Sequence, residues 1–459
     1  MLLTLIRREI VGNVLSFRFL VTFLLFFGLV LVSVFVMTTD YQDRSRAYEA
    51  SLAGHRESLD KIGAAGDANQ VADELFLNQG IYGDRRPQDL GVFVDGLAAV
   101  VPTQVHTAQF NARTIDEQRY RNPVLALFDS PDLGYVVNIV VSLLALMFVF
   151  DAICGEKERG TLKIVLANAV PRDSIILGKW IGGFVSLTAP FLVSLAAGIG
   201  YVHLIGAITL DGESLARIGW FVVVSLLYIS LFFTLGLLIS TLTHRASTAL
   251  IVSLFVWICW ILVIPNLAPV IARIAYPVPS AQKITAEKMA VDQETQLKLQ
   301  RISQQTLSYG DEGRRLQEEI TQEGEARQEK LDRFYREEFA TQTSVSKTLS
   351  RLSPAASYRY ATTELAATGI SSFIAFRQAH ERFEEEFDDF ADGVNEQRNN
   401  QGRLPDGWYE ADQLPQFHII ESRLDDTING LSIDLLLLLV YNVLFFMGSY
   451  LFFLRYDVT

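Results

Sequence analysis

The sequence CGEKERGTL, which runs from Cys154 to Leu162, decides how the rest of the chain is arranged. It places four consecutive charged residues between two glycines, and it directly follows an apolar run, Leu133 to Ile153, that is long enough to cross a bilayer. The apolar residues that come next recur at helical spacing: Leu162, Val165, Leu166 and Val170. Charges at the end of a span, followed by a short amphipathic helix and another span, are typical of a cytoplasmic connection in a membrane protein.

The composition of the chain also favours a membrane protein. Half of the 459 residues are hydrophobic and 20% are charged, whereas soluble proteins have about 25% charged residues. Residues 277–430 hold 28 of the 52 acidic residues but only 18 of the 39 basic ones, which argues against nucleic acid as a partner. The two cysteines cannot form a disulfide framework, and the six histidines show no metal-ligand spacing, so no metal site is predicted.

Hydropathy predicts six transmembrane helices. We assign them to residues 19–37, 133–153, 179–208, 219–242, 247–265 and 433–454. Residues 1–18 form an amphipathic pattern that predicts a cytoplasmic helix on the membrane surface. The apolar run of the first span is too long for a signal peptide and no small-residue cleavage site follows it, so we interpret it as a retained anchor.

The distribution of basic residues predicts the orientation of the spans. One side of the membrane carries nearly all Lys and Arg of the short connections, namely Arg7, Arg8, Arg18, Lys157, Arg159, Lys163, Arg172, Lys179, Arg245 and Arg455. This bias places both termini and the segment 154–178 in the cytoplasm, and it places residues 38–132 and 281–432 outside.

The two outside segments predict a mostly helical domain. Residues 41–61 and 69–77 favour helices, and a Gly/Pro-punctuated remainder follows. In the second segment, Ala281 to Leu307 and Asp311 to Leu352 predict two long antiparallel helices, and Ser372 to Asp392 predicts a third with a stripe of Phe residues. A loop, Asn399 to Leu414, follows. The predicted fold class is therefore an all-α membrane protein with six transmembrane helices and an extracytoplasmic domain built from two long loops.

The charges of the stretch Cys154–Leu162 have two interpretations. They can provide charge-assisted contacts to a cytoplasmic partner, with the helix behind them transmitting a push into the second and third spans. They can equally be a charged loop that only enforces topology. The residues alone do not choose between the two.

A family resemblance favours the first interpretation. The run Glu156 to Leu162, then Pro171-Arg172, then Gly178-Lys179 at the start of the third span, resembles the cytoplasmic signature of permease subunits of the ABC type-2 exporter family. The family pattern is a Gly-Glu-x-Glu-x-Gly-Thr-Leu run, a short apolar helix, a Pro with a nearby Arg, and a Gly-Lys that enters the next helix. This chain departs from the simplest members in having two large outside loops.

The resemblance implies a set of partners and site residues. Two ABC ATP-binding subunits would dock on this segment, and a second permease subunit, the same or homologous, would complete the pore. The residues assigned to ATPase coupling are Gly155, Glu156, Lys157, Glu158, Arg159, Gly160, Thr161, Leu162, Pro171 and Arg172. The chain lacks a phosphate-binding loop, since Gly178-Lys179 is followed by Trp180, so ATP and Mg²⁺ are expected on the partner subunit and the chain itself is not expected to be an enzyme.

Polar residues and prolines within the spans suggest a second site. Pro265 and the prolines after it predict that the fifth span breaks at its outer end and continues as a re-entrant or interfacial helix in residues 266–280, a lid over the outer pore. We assign Pro265, Asn266 and Asn442 to this pore and lid. Asp151 and Asp434 lie near span ends, where water or headgroups are expected to reach them, so no central carboxylate supports proton-coupled transport.

The predicted function is the permease subunit of an ATP-driven exporter or envelope mechanotransmitter in a bacterial inner membrane. Whether cargo crosses the pore or the outside domain works on a periplasmic protein is open. The alternative is a membrane sensor with an extracytoplasmic ligand-binding domain. A sensor needs a cytoplasmic output domain, and residues 154–178 are too few to fold alone.

Overall fold

A computed structural model of the chain describes residues 2–64, 67–108, 132–167, 171–304, 311–404 and 413–455. The helices in chain order are α1 Leu2–Val14, α2 Phe17–Gly63, α3 Ala68–Asp73, α4 Leu133–Val136, α5 Ser142–Val149, α6 Cys154–Glu158, α7 Thr161–Ala167, α8 Arg172–Ile205, α9 Gly212–Leu242, α10 Ala246–Ile258, α11 Ile264–Ala275, α12 Ala281–Gln304, α13 Asp311–Ser350, α14 Pro354–Leu365, α15 Ile370–Gln401 and α16 Leu424–Leu454. Three π-helical turns, Glu74–Gln79, Val137–Val141 and Cys259–Val263, and one 3-10 turn, Asp89–Val92, lie between them. Two short strands, β1 Ile81–Asp84 and β2 Gln104–Thr107, form one antiparallel pair.

Six helical stretches of the described chain are long and apolar enough to cross a membrane, which confirms the predicted all-α, six-span fold. They are Phe17–Gly63, Leu133–Glu158, Arg172–Ile205, Gly212–Leu242, Ala246–Ala275 and Leu424–Leu454. The fourth is 72% buried over its apolar window and the sixth only 11%. A helix that is apolar all round belongs in the centre of a bundle, and so α9 forms the core while α16 turns most of its surface outward.

The described chain divides into two compact units. The first comprises residues 2–108, 132–265 and 351–455, and the second comprises residues 266–304 and 311–350. The bundle of the first unit has two ends. We call the end formed by residues 154–167, 171–172 and 240–246 the coupling end, and the end formed by Asp132 and residues 354–365 the loop end.

Helix α2 is much longer than the predicted first span. It begins at Ser16, whose hydroxyl accepts a hydrogen bond from the Phe19 N–H, and continues through residues 38–63 without a break. These residues contain no proline, the residue that most strongly breaks a helix, so the helix propagates beyond the apolar segment. The helix predicted over 41–61 is therefore the second half of the helix that holds the first span.

The remainder of the first long loop contains a small β-hairpin that the sequence did not predict. β1 and β2 pair in antiparallel register, with Ile81 opposite Thr107 and Asp84 opposite Gln104. Arg85 follows β1 and is buried, and its guanidinium donates to the carbonyls of Ala98, Val101 and Pro102. Burial lowers the pKa of Arg85 to about 10, with a smaller contribution from the neighbouring charge of Arg44, and so the side chain is still charged at neutral pH.

The fifth span differs from the prediction at its proline. The backbone stays helical from Ala246 to Ala275, and a π turn at Cys259–Val263 precedes α11. Pro265 is the second residue of α11, where the widened turn before it accommodates a residue without an N–H. The predicted break at Pro265 is therefore absent, and whether residues 266–275 re-enter a bilayer stays a prediction.

Helix α14, at the loop end, is the most deeply buried of the short helices in the described chain. Eleven of its twelve residues are buried, although its sequence is largely polar. The Ser353 hydroxyl begins it, accepting from the Ala355 N–H and donating to the Trp260 carbonyl. α14 packs against α4, α9, α16 and two of the π turns, so it occupies the space between the second, fourth, fifth and sixth spans.

The second unit contains an antiparallel pair of long helices, α12 and α13, as predicted. Ion pairs join Lys288 to Asp332, Arg327 to Glu294 at 3.0 Å, and Lys298 to Glu323 at 3.4 Å. Because the residue numbers of α12 rise as those of α13 fall, the two helices run in opposite directions. The predicted turn at Tyr309-Gly310 lies outside the described residues.

Helix α15 has the predicted Phe stripe on its buried face, with Phe373, Phe376, Phe383 and Phe387. It is longer than predicted and ends at Gln401, where Gly402 adopts a left-handed conformation with φ 73°. Most of the predicted loop, residues 405–412, lies outside the described residues.

Candidate functional site

The candidate coupling segment, residues 154–178, contains two short helices, α6 and α7, and the first residues of α8; residues 168–170 lie outside the described part of the chain. Gly160, at φ 72°, joins α6 to α7 and breaks the helix between Arg159 and Thr161. A left-handed backbone conformation favours glycine because it has no Cβ atom, and this explains why the residue at position 160 is a glycine. Of the apolar residues predicted to line one face of the second helix, Leu162 is fully buried, while the side chains of Val165, Leu166 and Val170 lie outside the described residues.

The start of α6 is anchored to the end of the fourth span. The backbone N–H groups of Ile153 and Cys154 donate to the Ser240 hydroxyl at 3.0 and 3.1 Å. Cys154 and Gly155 are both buried. The coupling segment therefore begins inside the bundle and is not a free loop.

Lys157 binds the C-terminal end of the same span. Its ammonium group donates to the carbonyl oxygens of Thr241 and, at 3.1 Å, of Thr243. The last carbonyls of a helix have no intrahelical donors and carry partial negative charge. A lysine is therefore well matched to this position, where it ties α6 to the end of α9.

Glu158 binds the start of the fifth span. One of its carboxylate oxygens accepts from the backbone N–H of Ala246 at 3.0 Å. The residue before it, Arg245, provides no side-chain cap to α10, and a carboxylate at a helix N-terminus is stabilising. Lys157 and Glu158 thus hold both sides of the short connection between the fourth and fifth spans.

Glu156 connects the coupling segment to the third span and to α1. Its carboxylate accepts from the Lys179 ammonium at 2.8 Å, and the same ammonium lies 3.9 Å from Glu9. Lys179 is only 13% exposed. Three elements, α6, α8 and α1, therefore meet at one cation.

Close packing of α1 on α8 depends on two glycines. A Cβ atom at Gly178 would lie 3.1 Å from the Leu5 Cβ, and one at Gly182 would lie 2.7 Å from the Glu9 Cβ. Small residues four apart let two helices approach at backbone distance. The Gly-Lys pair at the start of the third span is therefore a packing site and an ion-pair site at once.

Arg172 connects the segment to the sixth span. Its guanidinium donates to the Leu454 carbonyl at 2.8 Å, at the end of α16. Pro171 is exposed and immediately precedes α8, a position where its fixed φ suits the start of a helix. The Pro-Arg pair of the motif thus starts one span and caps another.

The four charges of the stretch do not all face outward, as a purely partner-binding role would require. Glu156 and Lys157 are half-buried and contact their own chain, Glu158 is exposed but also contacts its own chain, and Arg159 is exposed. The exposed residues between Glu158 and Ile164 form a surface that we call the coupling face, consisting of Glu158, Arg159, Gly160, Thr161, Lys163 and Ile164. This face carries two positive charges, the Glu158 carboxylate that accepts from the Ala246 N–H, and one large apolar side chain, Ile164, which is 67% exposed.

The three residues assigned to a pore and lid are Pro265, Asn266 and Asn442, and the structure gives the following contacts and burial for them. The Asn442 amide donates to the Leu227 carbonyl at 3.0 Å and to the Leu438 carbonyl at 2.9 Å, so it joins the sixth span to the fourth. Pro265 is buried and Asn266 is exposed. A role of these three residues in a pore stays a prediction.

The prediction for Asp434 was wrong. Its side chain is only 1% exposed, and Arg351 binds it through two hydrogen bonds of 2.8 and 2.7 Å. Helix α16 begins ten residues earlier, at Leu424, so Asp434 lies inside the helix and not at its start. Asp151, by contrast, is 25% exposed and pairs with Arg18 at 2.9 Å, close to what its position predicted.

A buried polar cluster at the loop end was missed by sequence reasoning. Asp132 and Arg359 form an ion pair of 2.7 Å with both side chains at most 1% exposed. Asp132 also accepts backbone N–H bonds from Asp95, Gly96 and Tyr135, the last of which caps α4. Asp132 immediately precedes an apolar run, which could have identified it as a helix cap, but nothing local identifies Arg359 as its partner.

The cluster continues inward through hydroxyl groups. The rings of Tyr228 and Tyr358 stack with centroids 4.3 Å apart, and the Tyr358 hydroxyl lies 3.0 Å from the Ser225 hydroxyl. The Tyr228 hydroxyl donates to the Asn138 side chain at 2.6 Å. Asn138 therefore joins the second span to the fourth. Among the residues that the structure describes, no group of His, Cys, Asp or Glu could hold a metal ion.

Comparisons with known proteins agree with this architecture. The family model described as ABC-2 family transporter protein matches residues 3–458. The chain is 30% identical over 135 residues to the probable ABC transporter permease protein NosY of Stutzerimonas stutzeri, which covers 28% of this chain and 48% of that protein. It is 28% identical over 131 residues to the protein of the same name from Pseudomonas aeruginosa, covering 28% of this chain and 47% of that one.

The chain thus spans about half the length of the relatives it matches, whereas the family match covers nearly all of it. Six apolar helices and a charged segment bound to the ends of the fourth, fifth and sixth spans fit the family to which that match points. The resemblance inferred from the stretch Cys154–Leu162 is confirmed: the chain is a multi-pass membrane protein and belongs to the ABC-2 transporter family.

Proposed function

We propose that a separate ATP-binding subunit docks on the coupling face and drives this permease. The observation that carries the proposal is the set of bonds from the coupling segment to the ends of other helices. Lys157 binds the end of the fourth span, Glu158 the start of the fifth and Arg172 the end of the sixth. A force applied to α6 and α7 is therefore transmitted directly to the fourth, fifth and sixth spans.

The structure supports a wider route of transmission than the sequence suggested. The expected path led from the coupling segment into the second and third spans only. The third span does join through the Glu156–Lys179 pair, and the same ammonium extends the path to α1 through Glu9. In the proposed mechanism, closure of the ATP-binding subunits moves α6 and α7 as one body, and the ends of five spans move with it.

At the loop end, the proposed response is a displacement of α14. This helix packs between the second, fourth, fifth and sixth spans, so relative tilting of those spans changes its surroundings directly. A second permease subunit would complete the pore, and two copies of the partner subunit would bind ATP and Mg²⁺. The protein would lie in a bacterial inner membrane, with both termini on the cytoplasmic side. Export of cargo and work on a periplasmic protein are both compatible with this scheme.

The docking step is tested by co-purification. The tagged chain is co-expressed with a candidate ABC ATP-binding protein of the same organism, and the amount of bound ATPase is compared between wild type and Arg159→Glu/Lys163→Glu. Reversal of two exposed charges removes two charge-assisted contacts, so bound ATPase should fall by about tenfold or more. The control Arg56→Glu/Lys330→Glu reverses two exposed charges outside the coupling face and should retain the ATPase.

The transmission step needs a different variant. Lys157→Met keeps the coupling face but removes the bonds to the end of α9, so the ATPase should still bind while the change in its rate on assembly with the permease is lost. If no ATPase binds the wild type, or if Arg159→Glu/Lys163→Glu binds it normally, the proposal is wrong. The membrane sensor would then be the better interpretation.

A further inference from the structure

We propose that the exposed face of α1 binds the headgroups of anionic phospholipids. This inference goes beyond the proposed function and does not depend on it. α1 has two apolar faces, and only one of them is covered by the chain. The covered face packs on α8, where Leu5 lies against Gly178 and Glu9 against Gly182.

The other face of α1 is apolar and open. Leu3, Val11 and Val14 are all exposed and fall at helical spacing on one side, and Leu15 follows them at 81% exposure. Exposed apolar residues continue into α2, with Phe17, Leu20 and Leu24. These α2 residues belong to a membrane span, so the open face of α1 is continuous with a surface that the bilayer must cover.

Two arginines lie within this open face. Arg7 is one helical turn from both Leu3 and Val11, and Arg8 is three residues from Val11 and seven from Leu15, so both share the side of the apolar residues. Both are exposed, and neither forms an ion pair with any of the described residues. The one acidic residue of α1, Glu9, lies on the opposite face beside Lys179.

This arrangement selects a particular partner. A helix face that is apolar and purely positive fits the boundary between acyl chains and negatively charged headgroups. Guanidinium groups bind phosphate oxygens through paired N–H donors, while their aliphatic stems remain among the apolar side chains. A soluble acidic protein would leave Leu3 and Leu15 uncovered, whereas a bilayer covers the arginines and the apolar residues together.

The inference is tested by lipid binding to the full-length chain in detergent, measured by native mass spectrometry with dioleoylphosphatidylglycerol and with dioleoylphosphatidylcholine. The wild type should bind the anionic lipid about tenfold more tightly or better, since each basic residue near an anionic surface strengthens binding several-fold. Arg7→Gln/Arg8→Gln should lose this preference. Arg7→Lys/Arg8→Lys, which keeps the charge, should retain most of it.

A second measurement needs no variant. Raising the ammonium acetate concentration from about 0.05 M to about 0.5 M should reduce the preference of the wild type, because salt screens the contact between exposed charges. Equal affinity of the wild type for the two lipids would overturn the inference, and so would an unchanged preference in Arg7→Gln/Arg8→Gln. No ATPase enters these experiments, so their failure is distinguishable from failure of the proposed coupling.

Discussion

Two regions of the molecule use the same chemistry in opposite surroundings. At the loop end, Arg359 and Asp132 pair at 2.7 Å with 1% and 0% of their side chains exposed. In the helical pair α12 and α13, Arg327 and Glu294 pair at 3.0 Å with 49% and 48% exposed. The distances are nearly the same, so the difference between the two pairs lies in how much water each charge has lost.

The comparison shows that the contribution of an ion pair to stability depends on how far its charges are buried, and not on the distance between them. An exposed pair gains little, because water already solvates both partners. A buried pair has lost that water, so removing one partner leaves the other charged and unsolvated. Arg351 and Asp434, at 16% and 1% exposed, lie between the two cases and allow the comparison to be tested as a series.

The largest effect is expected at the fully buried pair. Arg359→Met leaves the Asp132 carboxylate without its cation and should reduce stability by about 3–5 kcal/mol. The measurement is the melting temperature of the purified protein in detergent. The double variant Asp132→Asn/Arg359→Met should recover part of the loss, because it removes the uncompensated charge. Full recovery is not expected, since Asp132 also accepts three backbone N–H bonds. A single variant as stable as wild type would contradict the comparison.

A smaller effect is expected at the intermediate pair. Asp434→Asn leaves Arg351 with some access to water and one remaining acceptor, so the loss of stability should be about 1–3 kcal/mol. Asp426→Asn, which changes an exposed carboxylate in the first turn of the same helix, is the matched control. The melting temperatures should fall in the order wild type, Asp426→Asn, Asp434→Asn, and the reverse order for the two variants would show that burial does not set the cost.

The smallest effect is expected in the second unit. Glu294 accepts from Lys298 and Arg327, in that order of importance, and these hydrogen bonds lower the pKa of its carboxyl group. A lowered pKa stabilises the folded state above the ordinary glutamate value of 4.5, and the benefit disappears as the pH falls through the folded value. Because Glu294 and Arg327 are both about half exposed, this stabilisation is small, and Glu294→Gln should melt like wild type at neutral pH within error, with any difference vanishing in acid or high salt. A clear drop in melting temperature would mean that these exposed pairs form a stabilising network.

Features that depend on the order of nearby residues were predictable from the sequence. The six spans follow from apolar runs, the paired helices α12 and α13 from composition without proline, and the Phe stripe of α15 from helical spacing. The coupling segment was recognisable because its charges, glycines and Pro-Arg pair are close together in the chain. The contacts that Glu156, Lys157 and Glu158 make within the chain could not be predicted. Their partners Lys179, Thr243 and Ala246 come close to them only when the chain folds.

Features that depend on distant parts of the chain could not be predicted. Asp132 and Arg359 are 227 residues apart, and no local pattern pairs them. The sequence of helix α14 is typical of a polar surface helix. Its Ser, Thr, Tyr and Arg side chains become buried only because spans from four other parts of the chain pack around it. The strands β1 and β2 are four residues each, too short for an alternating pattern to stand out from the loop around them.

The uninterrupted length of α2 has a mechanical consequence. Its 47 residues form one rod, which at the usual rise per residue is about 70 Å long. A hydrocarbon core accounts for only about 30 Å of that length. The rod is fixed near its first residue by the Arg18–Asp151 pair, close to the coupling segment. For a rigid rod of this length, a tilt of about 5° at that base would displace the far tip by about 6 Å, so a small rotation near Arg18 would become a larger movement at the other end of α2.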